Sequence, residues 1–249
     1  MRMCSAKVFA FTCLIEKTKV NPSAWLIPVL RPQSVRRIPI STRSITGRLG
    51  DQEFESALER DLFMQLAWDH DEIDWYAAQP VTIEYEVSPG QARRYTPDVL
   101  VVFKKQAGNH PTPLLCEVKY RRELAKNWQE LRHKFRAAQG YCEERGWRFA
   151  VLDESDIRTT RLENIQFLWR YRNADYPADL AAQLLRALED RGESTHGQLI
   201  DMVAATWSME RRAQTIWTFW SLVARQRIVF DDSSPVTHST IFSTEGRVS

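Results

Sequence analysis

The sequence predicts an α/β protein: a mixed β-sheet flanked by helices, followed by a small domain of three short helices closed by a β-hairpin. Three observations carry this prediction. Two apolar runs of strand type, Arg94–Phe103 and Leu114–Tyr120, are joined by a polar, turn-rich loop and read as a hairpin. Helix-period runs precede and follow that hairpin, giving the order α-β-β-β-α-β-α. The character of the chain then changes at Tyr176-Pro177.

The 249 residues are 43% hydrophobic and 27% charged, which leaves room for one large domain or two modest ones. No apolar run approaches the roughly 20 residues that span a bilayer, so no membrane association is expected. The short run Val8–Ile15 lacks a small-residue cleavage site and reads as core or arm, not as a signal peptide. The cysteines Cys4, Cys13, Cys116 and Cys142 lack metal-type spacing. They read as thiols of a reducing, cytoplasmic compartment.

The net charge is +2, but it is unevenly placed. Residues 1–48 hold nine Lys/Arg against one acid, Glu16, for a net of +8. Prolines 22, 28, 32 and 39 suppress a helical period there. We read an extended basic arm, with Arg31, Arg36, Arg37, Arg43 and Arg48 as its DNA-contacting residues. The segment 49–176 is net −4 and 177–249 net −2.

A helix is expected from about Gln52 to Trp68, with Phe54, Leu58, Leu62, Phe63 and Leu66 at helical spacing. Taking Leu58 as zero and about 100° per residue, Glu55 falls near 60° and Glu59 near 100°, inside the apolar arc. At least one of the two is expected to point into a site, since helix carboxylates normally face water. Trp75–Val87 follows as a half-buried strand in which Val81, Ile83, Tyr85 and Val87 alternate with polar residues. After the hairpin, residues 123–145 form a helix with Trp128, Leu131, Phe135, Ala138 and Cys142 on one face, stopped by Gly146. A strand at 147–152 and a helix at 160–171 complete a domain spanning 49–175.

The remaining residues, 176–249, have the outline of a winged helix. This segment has no lysine, and its third helix offers only Arg211, Arg212 and Arg225. Phosphate binding needs positive charge, so contact with a partner protein is favoured there over independent DNA binding.

The hairpin carries the chemistry. Asp98 follows Pro97 at the start of one strand, and Glu117 and Lys119 lie two apart on the other, hence on one face. Together with Glu59 they form a candidate set of three acids and a lysine. Mg²⁺ takes carboxylate and carbonyl oxygens plus water, so Glu59, Asp98, Glu117 and the carbonyl of Val118 are the candidate metal ligands. Such an ion would polarise a phosphate and activate water. Lys119 cannot usefully ligate a cation, but it can orient the attacking water or neutralise developing charge. A purely structural ion-pair cluster is the competing reading. His70, in a solvated Asp-His-Asp turn, is not expected to be a ligand, and Trp128 and His133 read as ordinary packing and rim residues.

Pro97-Asp98 followed by Glu117-Val118-Lys119 resembles the PD-(D/E)xK nuclease signature. Residues 54–61, Gln79–Ile83, Tyr95–Asp98 and Trp147–Arg158 are similar to the TnsA-type endonuclease subunit of heteromeric, Tn7-like transposases, closely over about 50–172 and more loosely beyond. The resemblance implies a restriction-endonuclease-like fold. It implies Glu59, Asp98 and Glu117 as ligands of Mg²⁺ (or Mn²⁺), and Lys119 assisting the nucleophile. Some members of that family carry Gln at the position of Glu117. It also implies hydrolysis of the 5′ strand at transposon ends in double-stranded DNA. Its partners would be a DDE transposase subunit, TnsB, which cuts and joins the 3′ ends, and an AAA+ regulator, TnsC. Two alternatives stand beside it: a stand-alone restriction or repair nuclease of the same fold, and a non-catalytic DNA- or protein-binding adaptor.

Overall fold

The structure is a computed structural model that describes Ser34 and residues 47–105 and 111–244. Of the basic arm, Arg31, Arg36, Arg37 and Arg43 lie outside the described residues; Arg48 lies within them and pairs with Glu53 at 3.1 Å. The described chain forms two compact units, which divide between Arg158 and Thr159.

The first unit opens with an antiparallel hairpin of β1 (Gly47–Leu49) and β2 (Gln52–Phe54), turned at Gly50 with φ +63°. Helix α1 (Ala57–Trp68) follows. It begins later than the apolar spacing suggests. Ser56 stops the strand and caps the helix, accepting a hydrogen bond from Glu59 N at 3.1 Å. Phe54 is therefore buried from a strand, and Glu55 lies before the helix, so its helical angle has no meaning.

The expected strand 75–87 is also two strands. β3 (Ile73–Ala78) ends where Gln79 takes φ 47° and Pro80 removes a backbone donor, and β4 (Ile83–Glu86) starts afresh. β4 pairs antiparallel with β5 (Ala92–Tyr95). The main sheet has the order β3-β6-β7-β8, with β6 (Val99–Phe103), β7 (Leu114–Val118) and β8 (Arg148–Leu152). The pairs β3/β6 and β6/β7 are antiparallel and β7/β8 is parallel, so the sheet is mixed. All of β7 is buried, as a central strand covered on both faces must be.

Helix α2 (Arg121–Glu143) makes the crossover from β7 to β8 and covers the sheet with Leu131, Phe135, Ala138 and Cys142. Gly146, at φ +65°, follows it and turns the chain back. A short helix, α3 (Glu154–Ile157), ends the unit. This is the mixed sheet flanked by helices, in a restriction-endonuclease-like arrangement, that the sequence predicts.

The second unit holds α4 (Thr160–Leu168), a 3₁₀ turn at Trp169–Tyr171, α5 (Ala178–Arg191), α6 (His196–Ala204) and α7 (Met209–Ala224). Its sheet, in the order β10-β11-β9, joins β9 (Glu193–Thr195), β10 (Ile228–Val229) and β11 (Ile241–Thr244) antiparallel. β9, between the first two of the expected three helices, is an addition to the expected outline. The boundary expected at 175/176 falls instead at 158/159, because α4 and the 3₁₀ turn pack on α7. Phe167 meets Trp220 edge-on at 5.0 Å and Tyr171 meets Trp217 at 4.9 Å. Asn164 fixes the loop before β11 through Asp232 O, Ser234 O and Val236 N, and Arg161 pairs with Asp232 at 3.0 Å. Among the described residues no helix is long and apolar enough to cross a membrane.

Candidate active site

The register of the β6/β7 hairpin builds the site. Val99 lies opposite Cys116, so Asp98, one residue before β6, faces the end of β7. Its main-chain N–H donates to Cys116 O at 3.0 Å, and its Oδ2 accepts from Val118 N at 2.6 Å. The part of Val118 that Asp98 uses is thus the amide N–H, whereas the sequence points to its carbonyl. Glu117, almost fully buried, sends Oε1 towards Lys119 Nζ at 3.4 Å, so the two side chains share a face.

Two residues that sequence reasoning passes over complete the surroundings of Glu117. Tyr95, at the end of β5, donates its hydroxyl to Glu117 Oε2 at 2.7 Å. Lys134, on α2, reaches Glu117 Oε1 at 3.4 Å and lies 5.0 Å over the Tyr95 ring. Burial, and then Glu117, holds the Tyr95 hydroxyl far above its usual range, so it stays a donor. The Tyr95–Glu117 contact spans separate strands and leaves no periodic trace in the sequence. Lys134 lies one position from the core residue Phe135, and nothing in its spacing singles it out.

Glu59 comes from α1. It stands at the third helical position, where its carboxylate accepts from Ser56 Oγ and from Glu55 N, both at 2.9 Å. Together with the Ser56 cap this forms a reciprocal closure of the helix start. Glu59 therefore has a structural task. It also belongs to the acid cluster, because its charge acts on Asp98. Of the two glutamates weighed in the sequence, Glu59 acts electrostatically on Asp98, and Glu55 in turn acts on Glu59. Glu55 Oε1 instead accepts from Gln79 Nε2 at 2.9 Å, and Gln79 N–H donates to Asp98 O at 2.8 Å.

The electrostatics follow from burial. Asp98 is pushed well above the ordinary Asp range by burial, then by Glu117 and Glu59, with Lys119 pulling the other way. Burial likewise raises Glu59, against hydrogen bonds from Glu55 N and Ser56. For Lys119, burial works to lower the pKa, but Glu117 and Asp98 outweigh it and hold the ammonium above its usual value. Lys119 is therefore a cation at neutral pH, and the three acids of the site face two lysines, Lys119 and Lys134, both on Glu117 Oε1.

These residues fit a divalent cation in kind. The donors are oxygens, as Mg²⁺ requires, and a cation would relieve the repulsion that raises Asp98. The site is not a finished coordination shell: among the described residues no three His, Cys, Asp or Glu side chains close on one point. Glu59 and Asp98 have oxygens engaged by protein donors and would have to share or release them. His70 lies apart, exposed and against Trp68 O and Asp71.

Removing the Tyr95 hydroxyl strands Glu117 Oε2 inside the protein. Tyr95→Phe should lower unfolding stability by about 1–3 kcal/mol, read from urea midpoints, and reduce cleavage by misplacing Glu117. An unchanged midpoint would show that the hydrogen bond is unimportant.

Two known family descriptions match the chain. Residues 70–154 match the family described as TnsA-like endonuclease N terminal, and residues 156–231 match TnsA endonuclease C terminal. The first match contains Asp98, Glu117 and Lys119, while Glu59 and the arm precede it. The junction of the two matches falls close to the division between the compact units. Among curated proteins no relative matches the chain. Matched over most of its length by the two halves of one family, with a mixed sheet carrying Asp98, Glu117 and Lys119 at one end, the chain belongs to the TnsA endonucleases, the endonuclease subunits of Tn7-type transposases.

Proposed function

We propose that the chain is the Mg²⁺-dependent endonuclease that hydrolyses the 5′ strand at transposon ends, with a DDE transposase subunit of TnsB type processing the 3′ strand and a TnsC-type AAA+ regulator coupling both to the target. The observation that carries this reading is Lys119 held 3.4 Å from Glu117, its charge acting on Asp98 and Glu59, inside a chain of an endonuclease family. Glu59, Asp98 and Glu117, with the Val118 carbonyl, would hold the ion; Mn²⁺ offers the same oxygen preference and would substitute. When bound, the ion would polarise the phosphodiester and make water a competent nucleophile near neutral pH.

The chain's own groups do the rest. Lys119, held as an ammonium beside Glu117 and Asp98, donates hydrogen bonds to the attacking water or to a phosphate oxygen and opposes the charge that develops there. Tyr95 and Lys134 hold Glu117 in place. Buried β7 and the Asp98–Val118 hydrogen bond keep the carboxylates from drifting. In-line attack then leaves a 5′-phosphate and a 3′-hydroxyl.

We assign the second unit, read as winged-helix-like, to contact with a partner protein. The arginines of α7 and its C-cap are already engaged: Arg211 with Asp179, Arg212 with Asp201, and Arg225 with Arg172 O and Ala174 O. The basic arm, Arg31 to Arg48, would add non-specific DNA affinity. We place this work in the cytoplasm.

The test is strand-resolved cleavage of end-labelled transposon-end duplex by the assembled transposase. Cutting of the 5′ strand should need Mg²⁺ or Mn²⁺ and stop in EDTA; cutting that persists in EDTA overturns the metal assignment. Full 5′-strand cutting by this chain alone would favour the stand-alone nuclease. Binding of DNA without any divalent-dependent cutting would favour the adaptor.

A further inference from the structure

Helix α2 leaves β7 directly beside the candidate site: Lys119 and its N-cap Tyr120 are consecutive. Its first ten residues, 121–130, contain no fully buried residue; Leu124 is half-buried, and full burial begins at Leu131. The opposite side of this helix is mostly basic. At about 100° per residue, Arg122, Lys126, Gln129 and His133 fall within about 30° of a line opposite the core residues Leu131, Phe135, Ala138 and Cys142, with Arg136 about 50° to one side of it. Arg132 flanks them. Up to Arg136 every side chain on that line can donate a hydrogen bond and none is acidic; Ala137 and Gly140 close its far end.

The two acids of this half of the helix face elsewhere. Glu130 pairs with Arg93 at 3.7 Å, and Glu123 adds its charge to Lys119. Arg122, Lys126, Arg132 and Arg136 form no ion pair with another described residue. The start of the helix is anchored, with Arg121 held by Asp153 at 3.0 Å and Ser155 Oγ at 2.7 Å, and its amide by Glu154 at 2.8 Å. A fixed helix thus presents a row of cations that no described acid neutralises.

We propose that this stripe of α2 is the duplex-binding surface of the first unit, its cations lying against the phosphates that flank the scissile bond. The inference rests on the nuclease reading of the site and names where its substrate lies. From Arg122 to Arg136 the stripe runs about 21 Å at 1.5 Å per residue, longer than the major groove is wide, about 12 Å. It therefore meets phosphates on both walls of a groove. Charge complementarity selects the occupant: a polyanion matches a row of donors without apolar anchors, whereas a tight protein interface is centred on buried aromatic or aliphatic side chains. The negative net charge of the surrounding segment hides this surface, because the acids lie on other faces.

The experiment is binding of the full-length chain to a labelled double-stranded oligonucleotide in EDTA, so that cleavage chemistry does not enter. Arg122→Ala/Lys126→Ala/Arg136→Ala should weaken binding at least tenfold near 0.1 M salt and reduce the slope of log K against log salt by about 3, close to 0.9 for each phosphate that is no longer neutralised. Arg122→Lys/Arg136→Lys keeps the charges and should keep the slope. Arg186→Ala/Arg227→Ala, on the second unit, should leave both quantities nearly unchanged. Since Asp98→Ala should bind as wild type does, failure of the catalytic assignment leaves this result intact. An unchanged affinity and slope in the triple variant overturns the proposal. So does normal DNA binding together with loss of association with a transposase partner, which would make the stripe a protein interface. A triple variant that unfolds is replaced by the single Lys126→Glu, which must still reduce the slope.

Discussion

Asp98→Asn should make the metal-free protein more stable while removing its activity. The amide keeps an oxygen to accept the Val118 N–H, so the 2.6 Å contact survives in altered strength, and it loses the charge that Glu117 and Glu59 oppose. Each pK unit by which the fold raises a carboxyl is worth about 1.4 kcal/mol. A gain of about 1 kcal/mol, or roughly 2–4 °C in Tm for a chain of this size, is expected near neutral pH. The sign has a pH signature. A carboxyl raised in the folded state is stabilised when protonated, so wild type gains on the variant as pH falls through the raised value towards the ordinary Asp value of about 3.9, and the difference closes there.

Metal should reverse the order. At a concentration of Mg²⁺ or Mn²⁺ 100 times its Kd, wild type should gain about 2.7 kcal/mol, whereas Asp98→Asn should gain little. A variant that is less stable than wild type without metal would mean that the acids form a self-sufficient structural cluster.

Lys119→Met should lower 5′-strand cleavage by about 10²–10³-fold, the usual consequence of losing one well-placed group that opposes developing charge. The methionine occupies similar volume, and the half-buried position tolerates it. The same substitution removes a cation next to Glu117 and Asp98, so divalent-ion affinity should hold or rise. This pairing of impaired cleavage with undiminished metal binding separates a catalytic lysine from one that merely balances charge. Cleavage within about threefold of wild type would remove Lys119 from the chemistry and leave Lys134, the other ammonium on Glu117 Oε1, as the cation to examine.

The hairpin that carries the site is legible because its logic is local. Period-two alternation places Glu117 and Lys119 on one face, and the antiparallel return sets Asp98 against Val118. The acid from α1 is legible only in part. Angular reasoning treats Glu55 and Glu59 alike, whereas Ser56 begins the helix between them, and a capping hydrogen bond decides that boundary more firmly than apolar spacing does. The broken strand at Gln79-Pro80 follows from the missing proline donor, which outweighs an otherwise convincing alternation.

What lies beyond the sequence depends on contacts between distant segments. Tyr95 and Lys134 meet Glu117 across 22 and 17 residues, and α4 belongs with α7 because aromatic side chains at 167, 171, 217 and 220 find one another. Summing charge by segment suggests a body with little attraction for DNA. Arranging the same residues around one helix gives a row of cations next to the site, so the arm need not act alone.

The central claim is that Asp98 and its neighbours cut DNA. The most direct test is strand-resolved cleavage of a transposon-end duplex by the complete transposase assembled with Asp98→Ala. The expected result is an intact 5′ strand, with 3′ processing by the partner subunit preserved. Cutting of the 5′ strand at the wild-type rate would contradict the assignment and move the chemistry elsewhere.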